Sequence, residues 1–194
     1  MPKLGMEPVR KAALVKATIS EIGRTGSLDV TVSQIAKRAG MSSALAHHYF
    51  GSKEEMFLAA MRHVLTLYGA EVRGALAAAN GPQARLNAVL AASFSPGNFR
   101  REAVSAWLNF WVMAQSVPQA KRLLAVYQRR LRSNLLAALR PLAGDRALAI
   151  ADGLGALIDG LYLREVLKSG PPDGAAAVRL AQDYLTAQLK GHGA

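Results

Sequence analysis

A chain of 194 residues with 51% hydrophobic content holds enough apolar material for one or two small domains with cores of their own. It contains no cysteine, which removes disulfide frameworks, thiolate nucleophiles and cysteine-ligated zinc and suits a reducing compartment. The formal net charge of +11 favours polyanionic partners, although residues 1–55, with eight Lys/Arg and five Asp/Glu, carry only +3 of it.

Residues Met1 to Glu7 show no apolar run followed by a small-residue cleavage site, so a cytoplasmic protein is expected. The most membrane-like stretch, Ala147 to Leu167, contains Asp152, Asp159, Arg164 and Glu165. Each charge near a bilayer centre costs roughly 2.5 to 3.5 kcal/mol, so this segment reads as a buried helix and no membrane partner is expected.

Apolar residues recur at helical spacing almost throughout, punctuated by Gly, Pro and Asn, which predicts an all-α fold of about nine helices. The first opens near Glu7, with Pro8 at its first position, and stops at Gly26. The second opens at Thr31, whose hydroxyl and Gln34 form a capping box; Ser52 with Glu55 repeats the device at the head of a long helix from about Lys53. A short helix after Gly40 lies between them. Further helices are predicted to about Ala92 after Asn80-Gly81-Pro82, from Arg101 to Gln115, from Gln119 to Leu139 with a break at Pro141 to Gly144, from Asp145 to Lys168, and from Ala175 to Lys190. The expected division is a DNA-binding domain at 1–54 and an effector-binding and dimerisation domain at 55–194, joined through the long helix.

Val32 to Gly51 read VSQIAKRAGMSSALAHHYFG. A helix-turn-helix needs a small residue where its helices touch, a turn residue tolerant of positive φ, and apolar inward positions. Ala36 and Gly40 meet the first two needs, and Ile35, Ala39, Met41, Ala46 and Tyr49 the third. Ser42, Ser43, Leu45, His47 and His48 then form the outer face of the second helix.

The run Thr31-Val32-Ser33-Gln34-Ile35-Ala36, followed by Ala39-Gly40-Met41-Ser42 and by His48-Tyr49-Phe50-Gly51-Ser52-Lys53, closely resembles the DNA-binding domain of the TetR-family repressors. That resemblance implies a short recognition helix in the major groove, with Ser33, Ser43, Ala44, Leu45, His47, His48 and Tyr49 around the base and phosphate contacts. Lys53 would clamp a phosphate. Thr31 and Ser42 border the same surface, and Lys3, Arg10 and Lys11 are candidates for minor-groove or backbone contacts. No Arg or Lys on the recognition face offers the bidentate guanine contact.

The likeness continues along the chain. AWLNFW at 106–111, RRLRSNL at 129–135 and GLGALIDGLYLR at 153–164 resemble the choline-responsive members of that family, which control the synthesis of glycine betaine from choline. Choline as effector is what this implies, with other quaternary ammonium or lipophilic cations, such as exported drugs, as the alternative. Trp107 and Trp111, at i and i+4 with Phe110 beside them, present two indoles on one helical face, and Asp152, Asp159 and Tyr162 share a face of a later helix. Aromatic faces attract a quaternary cation by about 0.5 to 2 kcal/mol each, and Asp159 is the first candidate for the counter-charge.

The last two helices should form a hairpin with more apolar surface than one subunit covers, and the family pattern implies a homodimer on a palindromic double-stranded operator. No enzyme is expected: Gly153-x-Gly155 follows no strand and has Ile158 in place of the third glycine of a phosphate-binding loop. The histidines at 47, 48, 63 and 192 have no metal-ligand spacing, so neither a metal nor a cofactor is predicted.

Overall fold

Short polar side chains cap the second, third and fourth helices, and a glycine ends the first. In the computed structural model, which describes residues 5–190, α1 (Met6–Thr25) closes on Gly26. That glycine takes φ +68°, a left-handed geometry that side chains disfavour. Pro8 is third in α1 rather than first, because the helix begins two residues earlier than its sequence suggests; it still lies in the first turn, where its missing N–H has no intrahelical partner to lose. Helix α2 (Val32–Arg38) has both halves of its capping box: the Gln34 amide donates to Thr31 Oγ1 at 3.2 Å and the Thr31 amide to Gln34 Oε1 at 2.7 Å. Helix α3 (Ser43–Phe50) is capped by Ser42, which accepts from the Leu45 amide.

Helix α4 (Lys53–Ala78) has only half of the expected box. Ser52 accepts from the Glu55 amide at 3.1 Å, but the Glu55 carboxylate lies 4.0 Å from Arg62 instead of returning to the cap. Helices α5 (Pro82–Ser93), α6 (Arg101–Ser116), α7 (Pro118–Ala143), α8 (Ala147–Leu167) and α9 (Gly174–Lys190) follow, with a 3-10 turn at Gly144–Arg146 before α8. All regular structure among the described residues is helical, and no helix there is long and apolar enough to cross a membrane.

The expected break at Pro141 does not occur; α7 runs through it to Ala143. Proline deprives only the Ala137 carbonyl of its partner, and Ala137 is exposed to water, so one lost bond in the last turn is tolerated. The chain turns instead at Gly144, and α8 starts at Ala147 after the 3-10 turn rather than at Asp145.

Helices α1, α2 and α3 enclose Leu14, Ile22, Ile35 and Ala46, each fully buried, while Ala39, Met41 and Tyr49 pack against them half-buried. Glu21 ties α1 to α2, accepting from Arg24 at 2.8 Å and from Arg38. Burial alone would raise its pKa, but the two guanidinium groups outweigh that and hold the carboxyl below 4.5.

The head meets the rest of the chain along α1, which packs on α4 and α6. At Gly23 a Cβ atom would lie 2.6 Å from Glu102 Cα and 2.8 Å from its carbonyl oxygen. Glycine is required here by the close approach of two backbones. Helix propensity alone would make Gly23→Ala stabilising by about 1 kcal/mol. Forcing α1 off α6 should cost more, about 1–3 kcal/mol. Urea denaturation should therefore show a net loss of stability for this variant, and a net gain would refute the close contact.

Candidate DNA-reading surface and effector site

Helix α3 stands on the buried Ala46 and turns Ala44, His47 and His48 to solvent, with Ser43, Leu45 and Tyr49 half-buried along its edges. Exposed Ser33 of α2 and the capping residues Thr31 and Ser42 border the same surface. Thr31 and Ser42 already use their hydroxyls on helix amides, which fixes the two helix ends.

The start of α1 contributes cations to this surface. Arg10 donates to the Tyr49 hydroxyl at 3.4 Å, and the Lys11 ammonium lies 6.0 Å from the Tyr49 ring centre. His47 Nδ1 is 3.2 Å from the Gly51 carbonyl, so that nitrogen carries a hydrogen and the ring is oriented by its own helix end. Lys53 projects from the first position of α4, its ammonium 5.4 Å from the Phe57 ring. Lys3 lies outside the described residues.

The second site lies where α4, α6, α7 and α8 converge. Trp107 is 4.9 Å from Tyr127, edge to face, and 6.3 Å from Trp111; Tyr127 in turn is 5.5 Å from Tyr68. Tyr162 stacks its edge on Phe99 at 4.9 Å, and Phe94 adjoins both. Tyr68, Trp107, Tyr127 and Tyr162 wall a cleft of about 20 Å³ completed by Val64, Asn98 and Ala103, room for little more than one water. Larger grooves open on either side: one of about 390 Å³ between α4 and α7 shares Tyr68 and Tyr127, and one of about 430 Å³ beside α1 shares Val64, Asn98 and Ala103.

The aromatic hydroxyls are tightly held. Tyr162 donates to the Ser93 carbonyl, and Tyr68 pairs with Ser93 Oγ at 3.1 Å. Burial raises the Tyr68 hydroxyl to about 12 and pushes Tyr127 and Tyr162 above their usual range.

Asp159 sits among these rings. Desolvation raises its carboxyl to about 6, only partly offset by the Tyr127 hydroxyl beside it. Its Oδ1 and the Nε1 of Trp111 are enclosed without a hydrogen-bond partner, a costly condition for buried polar atoms.

Of the five residues that the sequence suggests for the effector, four gather here: Trp107, Trp111, Asp159 and Tyr162. Phe110 points away into the core, where it is fully buried. Asp152, although seven residues from Asp159, is exposed and holds Arg132 through two hydrogen bonds of 2.6 and 3.2 Å. Tyr68, Tyr127, Phe94 and Phe99 were not anticipated, because each stands alone on its own segment. The one available signal was that only five tyrosines occur in the chain, three of them in apolar helices. Among the described residues no cluster of His, Asp and Glu could hold a metal ion.

A third surface lies on the outer side of α8. Ala149, Ala156, Leu163 and Leu167, spaced by seven, seven and four, are all exposed. Gly153 faces inward, where a Cβ would strike the Tyr184 hydroxyl of α9 at 2.2 Å, whereas Gly155 and Gly160 have open space before them.

Comparison with known proteins agrees with this architecture. Residues 14–60 match the model of the bacterial regulatory proteins of the tetR family, and residues 82–190 match that of the BetI-type transcriptional repressor C-terminal domain. The chain is 51% identical over 192 residues to the HTH-type transcriptional regulator BetI of Brucella suis, covering 98% of this chain and 97% of that protein. It is 50% identical over 191 residues to BetI of Agrobacterium fabrum, covering 98% and 93%.

Among solved structures, a putative transcriptional regulator of Pseudomonas aeruginosa superposes with a TM-score of 0.81 at 29% identity, over 97% of this chain and 94% of the other. A putative regulator of Saccharomonospora viridis, solved in complex with choline, shares the fold with a TM-score of 0.82 at 22% identity, over 91% and 95%. The chain therefore belongs to the TetR family of transcriptional regulators and carries a C-terminal domain of the BetI type.

Proposed function

We propose that this regulator represses genes for the conversion of choline to glycine betaine and that choline binding alters its affinity for operator DNA. The observation that carries the reading is Asp159: a desolvated carboxylate among three tyrosines, one of them packed on the Trp107 indole, is the chemistry that a quaternary ammonium ion requires. Such a cation has no N–H to donate, so it is held by ring faces and balanced by a buried negative charge. The sequence relationship to BetI proteins and the choline bound to the structural relative point the same way.

Residues 1–54 then serve as the DNA-reading head. Ser33, Ser43, Ala44, Leu45, His47, His48 and Tyr49 approach bases and phosphates, Thr31 and Ser42 hold the helix ends, and Lys53 grips the backbone. Residues 55–194 bind the effector and dimerise through α8 and α9; on α8 the exposed Ala149, Ala156, Leu163 and Leu167 offer apolar surface to a second copy. A twofold dimer reads a palindromic operator.

A cleft of about 20 Å³ does not admit a trimethylammonium group, so ligand entry has to move the tyrosines and the helices that carry them. Trp107 lies five residues beyond Glu102, where α6 touches α1 at Gly23. Displacement of α6 thus reaches the head directly and shifts the spacing of the two reading helices, the coupling that an allosteric regulator requires.

Four outcomes are expected. On DNA from upstream of its own gene, fluorescence anisotropy should show salt-dependent binding that weakens as choline is added; binding indifferent to choline would reject the effector. The raised carboxyl of Asp159 means that the folded protein binds this proton more tightly than the unfolded chain. Ligand-free stability from this group therefore rises as pH falls through about 6, while a cation prefers the ionised form. Choline affinity should fall by about tenfold between pH 7.5 and pH 5, and Asp159→Asn should both weaken the choline response and raise the melting temperature at pH 7. Leu163→Glu, on the exposed side of α8, should convert the dimer to monomers in light scattering without loss of helicity; an unchanged dimer would move the interface elsewhere.

A further inference from the structure

We infer that Trp111 and Asp159 form a two-point specificity device, in which the Trp111 indole N–H donates to an oxygen on the effector while Asp159 balances its ammonium. The inference rests on the quaternary-ammonium reading above and adds a second requirement, an oxygen acceptor on the ligand's arm.

The two atoms are the only buried side-chain polar atoms among the described residues with no hydrogen-bond partner. Buried orphans of this kind are rare, because each forfeits its hydration without compensation. Their characters are opposite: an indole nitrogen only donates, and an ionised carboxylate only accepts. Either atom alone could be a packing accident.

Their placement relates them. The Arg101 guanidinium donates to the carbonyls of Lys168 and Gly170, so the start of α6 lies beside the end of α8; further along α6, Ala103 and Trp107 share the cleft with Tyr162 of α8, so the two helices run in opposite directions. Trp111 is ten residues on from Arg101 and Asp159 nine back from Lys168. At 1.5 Å per residue these are about 15 and 14 Å along their helices, the same level. Tyr127 completes the link, since its ring packs on Trp107 one turn before Trp111 while its hydroxyl adjoins the Asp159 carboxyl.

The polar groups that line the neighbouring cleft are committed. Tyr162 and Tyr68 are both held by Ser93, and Asn98 spends its side-chain amide on Glu71 and the Ala92 carbonyl. A ligand oxygen entering this cluster meets Trp111 Nε1 as its unengaged donor. The device selects a short quaternary ammonium with a hydroxyl or carbonyl arm over one with a purely alkyl arm of the same length, because the latter leaves the indole N–H buried and unpaired.

The test is isothermal titration of the intact protein with choline and with propyltrimethylammonium, which replaces the hydroxyl by a methyl group. The wild type should bind choline at least tenfold more tightly. Trp111→Phe keeps an aromatic face but removes the donor, and should bring the two affinities within about twofold by weakening choline alone. Asp159→Asn should weaken both ligands by a similar factor and preserve their ratio. Equal wild-type affinities, or a Trp111→Phe variant that keeps the wild-type preference, would overturn the inference while leaving the cation site standing; the wild-type comparison decides even where the variant folds poorly. If neither ligand binds the wild type, the quaternary-ammonium reading itself is overturned, and this inference with it.

Discussion

The close approach of α1 to α6 at Gly23 is the constraint on which the rest of this architecture depends. Two helices whose backbones meet with no room for a methyl group cannot slide independently, because packed interiors rearrange in steps rather than by continuous deformation. The head is thus not hung on a flexible tether. It is clamped between α4, which continues directly from the reading unit, and α6, which carries both tryptophans of the aromatic cluster. The buried Glu21, held by Arg24 and Arg38, extends that rigidity from α1 into α2.

Against this rigid frame the aromatic cluster is a region of incomplete satisfaction. Ser93 absorbs two tyrosine hydroxyls, whereas Asp159 Oδ1 and Trp111 Nε1 are left without a partner. A fold selected for stability alone would place an amide or an aliphatic side chain at Asp159. The retained carboxylate, with its pKa lifted by burial, fits a site whose favourable interactions are completed from outside the chain.

Local chemistry made much of this legible in the sequence. Thr31 with Gln34, Ser52, Gly26 and Gly40 mark helix ends through interactions spanning four residues or fewer, and the reading head follows from them. Pro141 misled because its effect depends on whether the orphaned carbonyl reaches water, which sequence does not record. The aromatic cluster is half-visible for a related reason: Trp107 and Trp111 share one helix and announce themselves by spacing, while Tyr68 and Tyr127 join them only through the packing of α4 against α7. Asp152 and Asp159 have equal claims by periodicity, and only the neighbouring helices separate an exposed partner of Arg132 from a buried charge.

The orientation of His47 carries a consequence for what its outer edge can recognise. With Nδ1–H turned to the Gly51 carbonyl, the neutral ring offers Nε2 as an acceptor, complementary in the major groove to the amino groups of adenine and cytosine.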